Sequence, residues 1–135
     1  MANFGLIIGE FHRSAARAME EEATDEIAGS GHSVDRVVMV PGTYEVPLAL
    51  KAMLADAGID AAVVLGIIER GETAHGLVMA NAVMPKILDL QLEYMKPVGI
   101  GILGPEIFPS QIEPRTRPYA RAAAAAAIRM LALQG

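Results

Sequence analysis

Apolar runs and amphipathic stretches alternate four times along the chain. Each short aliphatic run is followed by a longer stretch whose apolar residues recur every three or four positions, which is typical of a helix with one buried face. The pattern therefore predicts four strand–helix pairs. The predicted strands are residues 4–8, 35–40, 61–67 and 97–103, and the predicted helices are about 14–28, 43–56, 73–94 and 118–134.

The predicted helix boundaries depend on capping residues and prolines. Thr43 is predicted to cap the second helix, and Pro118 is a favourable first residue for the last one. Pro85 is expected to kink the third helix or to lie in a loose turn within it. The run of six alanines in the last helix is explained by close helix packing.

The order and character of these elements predict the fold class. Strands that are apolar almost throughout indicate a parallel sheet covered on both faces, and right-handed crossovers leave few topologies. We predict an α/β fold in which residues 1–135 form a single domain. Its architecture is a three-layer sandwich with helices on both faces of a four-stranded parallel, flavodoxin-like sheet of order 2-1-3-4.

Composition narrows the function classes. The chain has 135 residues, of which 53% are hydrophobic, and we interpret part of this aliphatic excess as subunit interface. We expect no membrane partner, since no apolar run is long enough to cross a bilayer and no leader opens the chain. A net charge of −5 argues against nucleic-acid binding, and the absence of cysteine suits a cytoplasmic protein.

The parallel sheet predicts where the chemistry lies. The carboxyl ends of all its strands meet at one edge, and ligands of such sheets bind there. The loops that follow the four strands hold most of the unusual residues of the chain. These loops are "GEFHR", "PGTYE", "GIIERGETAH" and "GPEIFPSQIEPR".

The third of these loops contains a candidate anion site. Gly71, Glu72 and Thr73 precede a helix whose first amide groups favour a phosphate, although an ordinary N-cap is the more common role of such a threonine. The positive end of the helix disfavours a protonated imidazole, so His75 is suited to accept a proton; a capping or packing histidine explains it equally well. Neither nucleotide-binding fingerprint occurs, and no two histidines have metal-ligand spacing, so we predict no cofactor.

Three further residues have the right chemistry for a ligand. Phe11 can stack on a planar ring, although an aromatic at this place more often closes the core. Glu45 suits the first turn of the second helix whether or not it binds sugar hydroxyls. Arg115 is the best candidate for a bidentate phosphate contact. Arg117 and Arg121, and the acidic run at residues 20–22, are interpreted as facing solvent.

Together, the four loops resemble those of the lumazine synthases, and most closely those of the shorter archaeal form. The resemblance spans nearly the whole chain, and it is most specific where V-P-G-x-[FY]-E-[IV]-P and G-x-T-x-H occur in this order. The matching stretches are "GEFHR", "VPGTYEVPLALK", "LGIIERGETAHGLVMANAV" and "KPVGIGILGPE".

The resemblance implies a transferase of riboflavin biosynthesis that needs no cofactor. In the family, 5-amino-6-(D-ribitylamino)uracil condenses with 3,4-dihydroxy-2-butanone 4-phosphate to give 6,7-dimethyl-8-ribityllumazine, phosphate and water. It also implies pentamers with sites between subunits, and it leaves open a sixty-subunit icosahedral shell.

The resemblance further assigns expected roles to particular residues. Phe11 is expected to stack on the pyrimidine, and the main chain of Ile67 and Ile68 is expected to form hydrogen bonds with its ring. The residues expected to line the uracil–ribityl side are Thr43, Tyr44 and Glu45. The phosphate is expected to be held by Gly71, Glu72 and Thr73, and by Arg115 of a neighbouring subunit. His75 is expected to shuttle protons.

Departures from the family pattern leave two other functions open. Glu69 replaces the usual apolar residue before Arg70, and Ile100 stands where many bacterial relatives place an aromatic against the pyrimidine. No lysine role can be carried over, and the bacterial first strand that joins a neighbour's sheet is not expected. One alternative is a non-catalytic shell-forming or flavin- or lumazine-binding paralogue. Another is an archaeal-type riboflavin synthase, which the predicted phosphate turn disfavours.

Overall fold

The computed structural model of the protein describes residues 1–10 and 12–134. Four strands form one sheet, in which every pairing is parallel and the order is β2-β1-β3-β4. The strands are β1 (Asn3–Gly9), β2 (Ser33–Val40), β3 (Ala61–Glu69) and β4 (Val98–Ile107). The predicted sheet order is confirmed.

Four helices cover the two faces of this sheet. Helices α1 and α4 pack on one face, and α2 and α3 pack on the other, so the predicted three-layer sandwich is confirmed. Their bounds are α1 (Arg13–Gly29), α2 (Val46–Leu54), α3 (His75–Tyr94) and α4 (Pro109–Gln134). A single 3-10 turn, Thr43–Glu45, precedes α2.

Strand β3 lies at the centre of the core, and its side chains alternate between the two faces. Residues 61–68 are all buried. Val63, Leu65 and Ile67 pack against α1 and α4, whereas Val64 and Ile68 pack against α2 and α3. Because this alternation has a period of two, the residue after Ile68 projects towards α1.

Strand β2 is less covered than its apolar sequence predicts. It lies at one edge of the sheet, and Val37 and Met39 are 39% and 43% exposed in the single chain. The expectation of a strand covered on both faces is therefore wrong for β2, because α1 and α2 reach the edge strand with only part of their surfaces.

The fourth strand and the last helix differ most from the sequence prediction. Strand β4 extends to Ile107, and α4 begins at Pro109 rather than at Pro118. Pro109 occupies the first turn, where a missing N–H group costs no helical hydrogen bond. Pro114 and Pro118 are one turn apart on the exposed side, so the carbonyls that they leave unpaired face solvent. The fourth predicted loop is consequently strand and helix.

Glycine in β4 permits close packing of α4. A Cβ atom added to Gly99 would lie 2.0 Å from the carbonyl oxygen of Ala123, and one added to Gly101 would lie 3.0 Å from the Ala123 Cβ. Ala120, Ala124 and Ala127 of the same helix are also buried. The prediction that the alanine run serves close helix packing is confirmed.

Two other predicted helix starts need correction. Thr43 lies inside the 3-10 turn and is buried, and its hydroxyl makes no capping bond to α2. Helix α3 begins at His75, two residues after the predicted Thr73. It continues through Pro85, which lies within the helix rather than in a turn that interrupts it.

Charged side chains link α1 to α4. Glu22 contacts Arg121 Nε at 2.8 Å and Arg117 Nη1 at 3.3 Å, and Arg117 also reaches Glu21 at 3.1 Å. The hydrogen bond from Arg121 holds the pKa of the Glu22 carboxyl below its usual range, with Arg117 acting in the same direction. The prediction of a merely solvated face is therefore wrong for Glu21, Glu22 and both arginines.

Among the residues that the structure describes, none of the helices combines the length and the apolarity that are needed to span a bilayer.

Candidate active site at the carboxyl edge of the sheet

A cavity of about 380 Å³ opens at the carboxyl edge of the sheet, where the sequence predicts a ligand site. This volume falls in the range of small-molecule sites. The end of β1, the loop after β2, the end of β3 and the first turn of α3 contribute its walls. The lining residues are Gly9, Gly42, Thr43, Ile67, Ile68, Glu69, Arg70, Gly71, Thr73, His75, Gly76 and Met79.

Half of the predicted site residues meet in this cavity. They come from two segments that are distant in sequence, the turn after β2 and the stretch from the end of β3 to the start of α3, and the parallel sheet brings them together. The predicted residues found there are Thr43, Ile67, Ile68, Gly71, Thr73 and His75.

The first turn of α3, in which N–H groups lack helical partners, lines part of this cavity. The first hydrogen bond of the helix runs from the Val78 N–H to the Ala74 carbonyl at 3.0 Å. The N–H groups of the three residues before Val78 therefore have no carbonyl acceptor within the helix. The His75 N–H instead donates to Thr73 Oγ1 at 3.3 Å. The amides of Gly76 and Leu77 thus belong to a helix end that favours an anion.

A bulge between β3 and β4 forms part of the wall behind Ile68. Ile67 pairs with Leu103 and Glu69 pairs with Ile107, so three residues of β4 face Ile68 alone. One of them, Gly104, has φ +95°, and a Cβ there would lie 2.1 Å from the Ile68 carbonyl oxygen. Glycine is therefore required at this position.

Arg70 ties the end of β3 to the end of β4. Its backbone N–H donates to the Ile107 carbonyl at 2.8 Å, and its Nε lies 3.2 Å from Glu106 Oε2. The guanidinium also lies over the ring of Phe108, 5.2 Å from its centroid. These contacts fix Arg70 at the rim of the cavity.

Glu69 links the same strand to α1. Its Oε2 lies 2.9 Å from Nε2 of His12, the residue that precedes the helix. The two side chains are 27% and 28% exposed. The contact therefore joins a lining residue of the cavity to the start of α1.

Tyr44 lies beside the cavity, in contact with its candidate catalytic residue. The rings of Tyr44 and His75 meet edge to face, with 6.1 Å between their centroids. Both residues are exposed in the single chain, as are Glu45 and Glu72. Tyr44, Glu45 and Glu72 are outside the set of residues that line the cavity.

Two predicted residues are separate from the cavity within one chain. Ile100 is half-buried and packs against the cluster of α2 and α3. Arg115 is exposed in the second turn of α4, where Nη1 donates to the Gln111 carbonyl at 3.2 Å. Phe11 lies outside the described residues, so its predicted stacking role stays a prediction.

Six lining residues were not among the predicted site residues. Met79 lies one turn after His75, and this spacing is the signal that could have identified it. Gly76 allows α3 to approach β3, because a Cβ there would lie 3.0 Å from Ile68 Cγ2. The full set is Gly9, Gly42, Glu69, Arg70, Gly76 and Met79. Within residues 1–10 and 12–134, no three histidine or carboxylate side chains are placed to hold a metal ion.

Comparison with known proteins supports the resemblance seen in the loops. The sequence profile of the 6,7-dimethyl-8-ribityllumazine synthases matches residues 1–135. The chain belongs to the lumazine synthase family.

Three archaeal lumazine synthases illustrate the relationship. The chain is 39% identical to that of Methanococcus vannielii over 131 residues, which are 97% of this chain and 93% of the relative.

The other two lumazine synthases show similar coverage. Identity to the protein of Methanopyrus kandleri is 42% over 127 residues, 94% of this chain and 89% of the relative. Identity to that of Methanocaldococcus jannaschii is 37% over 131 residues, 97% of this chain and 92% of the relative. The match to lumazine synthases thus includes all four loops at the carboxyl edge.

Proposed function

We propose that the protein is a cytoplasmic lumazine synthase of riboflavin biosynthesis. It condenses 5-amino-6-(D-ribitylamino)uracil with 3,4-dihydroxy-2-butanone 4-phosphate and releases phosphate. The observation that supports this most directly is the meeting of Gly71, Thr73 and His75 with Ile67 and Ile68 in one cavity.

The chemistry requires a cavity with two different ends. At one end, the amides that open α3 hold the phosphate, with Thr73 beside them. At the other, the main chain of Ile67 and Ile68 bonds the pyrimidine, and Thr43, Tyr44 and Glu45 lie along the ribityl chain. The amine and the ketone are thereby brought together, which lowers the entropic cost of their reaction.

His75 moves protons between these two ends. Condensation of the amine with the ketone releases water, and elimination of phosphate and ring closure each require a proton transfer. An imidazole in the first turn of α3 stands next to the proposed phosphate position and beside the Tyr44 ring. We propose His75 as the general acid–base residue.

Arg115 is proposed to complete the phosphate site of a neighbouring subunit. It is exposed and lies away from the cavity of its own chain, so it is available to a second copy. Helix α3 also exposes Val78 (58%), Leu92 (68%) and other apolar residues, which suits burial between subunits. We propose pentamers, with a sixty-subunit shell as a further possible assembly; light scattering measures which of them forms.

One assay tests the proposed function. The purified protein is mixed with both substrates, and the absorbance and fluorescence of the lumazine product are recorded. Product formation is expected. No product from the two substrates, together with consumption of lumazine supplied alone, would identify a riboflavin synthase instead. Assembly without either reaction would identify a paralogue that does not catalyse this chemistry.

A further inference from the structure

We propose that Arg70 is a positioning residue for the phosphate turn, which consists of residues 71–74. Its side chain is held by Glu106 and Phe108, and it fixes the point at which this turn leaves the sheet. In this way it sets the affinity for the phosphate-bearing substrate. The inference rests on the proposed function, in which this turn and the amides that open α3 hold the phosphate.

The phosphate turn has few attachments of its own. Its residues are exposed, and a Cβ atom added to Gly71 would meet nothing within 4 Å. In the described part of the chain, the backbone groups of residues 71–73 form no hydrogen bond with another segment. Thr73 Oγ1 accepts a hydrogen bond at 3.3 Å from the N–H of His75, which directly follows the turn. The position of the turn therefore depends on the residues that flank it, Arg70 and the start of α3.

Three groups at the end of β4 hold Arg70. The Arg70 N–H donates to the Ile107 carbonyl at 2.8 Å, a contact that any residue except proline can make. The side chain adds two contacts that need a guanidinium. Its Nε lies 3.2 Å from Glu106 Oε2, and its Cζ lies 5.2 Å from the centroid of the Phe108 ring. These side-chain contacts are what an arginine adds to the pairing of the two strands.

The backbone of Glu106 supports a role for its side chain. Glu106 has φ +67°, a conformation that glycine adopts freely and that other residues adopt at an energetic cost. It lies in the bulge of β4, between the pairs that Ile67 and Glu69 form with that strand. A glutamate is thus kept where glycine would be less strained, and its carboxylate contacts Arg70.

The partners of Arg70 are separate from the cavity itself. Arg70 lines the cavity, whereas Glu106 and Phe108 do not. A change at either partner therefore reaches the cavity through Arg70. This arrangement distinguishes a positioning role of Arg70 from a direct contact between its guanidinium and the phosphate.

Steady-state kinetics with each substrate varied in turn tests this role. Thermal unfolding and light scattering establish that each variant is folded and assembled. The variants are Arg70→Leu, Arg70→Lys, Glu106→Gly, Phe108→Leu and the double variant Arg70→Leu/Glu106→Gly.

Lys51→Leu is the matched control. Lys51 Nζ lies 3.3 Å from Glu93 Oε2 and 5.9 Å from the centroid of the Tyr94 ring, so its partners are of the same kinds as those of Arg70. None of these three residues lines the cavity. The control therefore reports the loss of an exposed cation from a carboxylate and an aromatic ring without a change at the phosphate turn.

A specific pattern is expected. Arg70→Leu raises the KM for the butanone phosphate about fivefold, whereas kcat and the KM for the pyrimidine stay within about twofold. Glu106→Gly and Phe108→Leu each raise the same KM about threefold. Glu106→Gly does so without lowering the Tm, because glycine adopts the required φ freely.

The remaining variants define how Arg70 acts. Arg70→Lys keeps the charge but lacks the Nε that faces Glu106 and the planar group over Phe108, so its KM for the butanone phosphate also rises about threefold. The double variant is no worse than Arg70→Leu, because both changes remove the same contact. Lys51→Leu leaves both KM values unchanged.

Several results would overturn the inference. An effect of Arg70→Leu without one of Glu106→Gly or Phe108→Leu would mean that Arg70 touches the phosphate itself. A double variant whose KM rises by the product of the single effects would mean that Arg70 and Glu106 act independently. Equal loss for both substrates, or an unchanged KM in every variant, would also exclude the positioning role.

A binding measurement separates this inference from the proposed function. Calorimetric titration with inorganic phosphate reports anion affinity without turnover. If the wild type forms no product but binds phosphate more tightly than Arg70→Leu and Glu106→Gly, the synthase proposal fails and Arg70 retains its role. If the wild type turns over and these variants bind phosphate equally well, Arg70 has no such role. If the wild type neither binds phosphate nor turns over, both proposals fail.

Discussion

The phenol ring of Tyr44 meets the imidazole of His75 edge to face, with 6.1 Å between the ring centroids. Tyr44 belongs to the 3-10 turn after β2, and His75 is the first residue of α3. Because β1 lies between β2 and β3 in the sheet, the contact joins segments that follow two non-adjacent strands, and it lies beside the cavity. It places the Tyr44 ring next to the residue that we propose for proton transfer.

Replacement of His75 by alanine is expected to slow turnover without disturbing assembly. Loss of a general acid–base group lowers kcat by about a hundredfold. His75 is exposed, so the free energy of unfolding should change by less than about 0.5 kcal/mol. Rates of lumazine formation and light scattering measure the two properties. The control is His32→Ala, because His32 binds the Ala2 N–H at the opposite edge of the sheet. An unchanged rate in His75→Ala would remove this residue from the mechanism.

Replacement of Arg115 by alanine is expected to weaken the phosphate substrate selectively. A guanidinium that binds phosphate contributes charge-assisted hydrogen bonds, so the KM of the butanone phosphate should rise about tenfold or more. The KM of the pyrimidine should change little. Arg129→Ala, an exposed arginine near the other end of α4, is the matched control. Equal loss for both substrates would contradict a phosphate role.

Mixed oligomers provide a separate test of the proposed shared site. His75→Ala and Arg115→Ala are each impaired, but co-assembled chains include sites that combine an intact His75 with an intact Arg115 of the neighbour. Activity should therefore reappear when the two variants are expressed together, and not when separately assembled variants are mixed. Failure of co-assembled chains to regain activity would place both residues in the same subunit's site.

Replacement of Gly99 by alanine is expected to destabilise the fold. The new Cβ would lie 2.0 Å from the Ala123 carbonyl oxygen, so α4 would have to move away from β4. The free energy of unfolding should fall by about 3 kcal/mol, as measured by denaturant titration. Gly29→Ala is the control, since nothing lies within 4 Å of its added Cβ. Equal stability of both variants would show that the close contact between α4 and β4 is not formed.

The contact between Glu22 and its two arginines predicts a pH-dependent stability. Because the pKa of Glu22 is lowered from its usual value of 4.5 in the folded state, its contribution is present above that value and is lost as the pH falls through the lowered pKa. Glu22→Gln should therefore cost about 1 kcal/mol at neutral pH and less in acid. Urea unfolding at several pH values measures this, with Asp25→Asn on the same helix as the control. A constant difference across the pH range would exclude the charged contact.

Much of the fold follows from local patterns, because alternation in strands and periodicity in helices are short-range properties. The apolar run at residues 61–67 identifies a buried strand, and the parallel order of the sheet follows from the repeated crossovers. The loops "PGTYE" and "GETAH" predict the candidate site, and half of the predicted site residues lie in one cavity.

Other features depend on which segments of the chain pack against each other in the tertiary structure. The last helix is predicted to begin at Pro118, yet α4 begins at Pro109 and continues through Pro114 and Pro118, because both prolines lie on its exposed side. The roles of Gly99 and Gly104 depend on distances of 2.0 and 2.1 Å to other chain segments. The contacts of Glu69 with His12, and of Glu22 with Arg121, join residues that are 57 and 99 positions apart. Such pairs leave no periodic signal in a single sequence.

The amino-acid sequence alone determined the succession of elements and the edge that carries the chemistry, since each is encoded in neighbouring residues. Only the tertiary structure decided which charges meet and how closely the backbones approach, because these depend on the three-dimensional packing of segments that are distant in sequence.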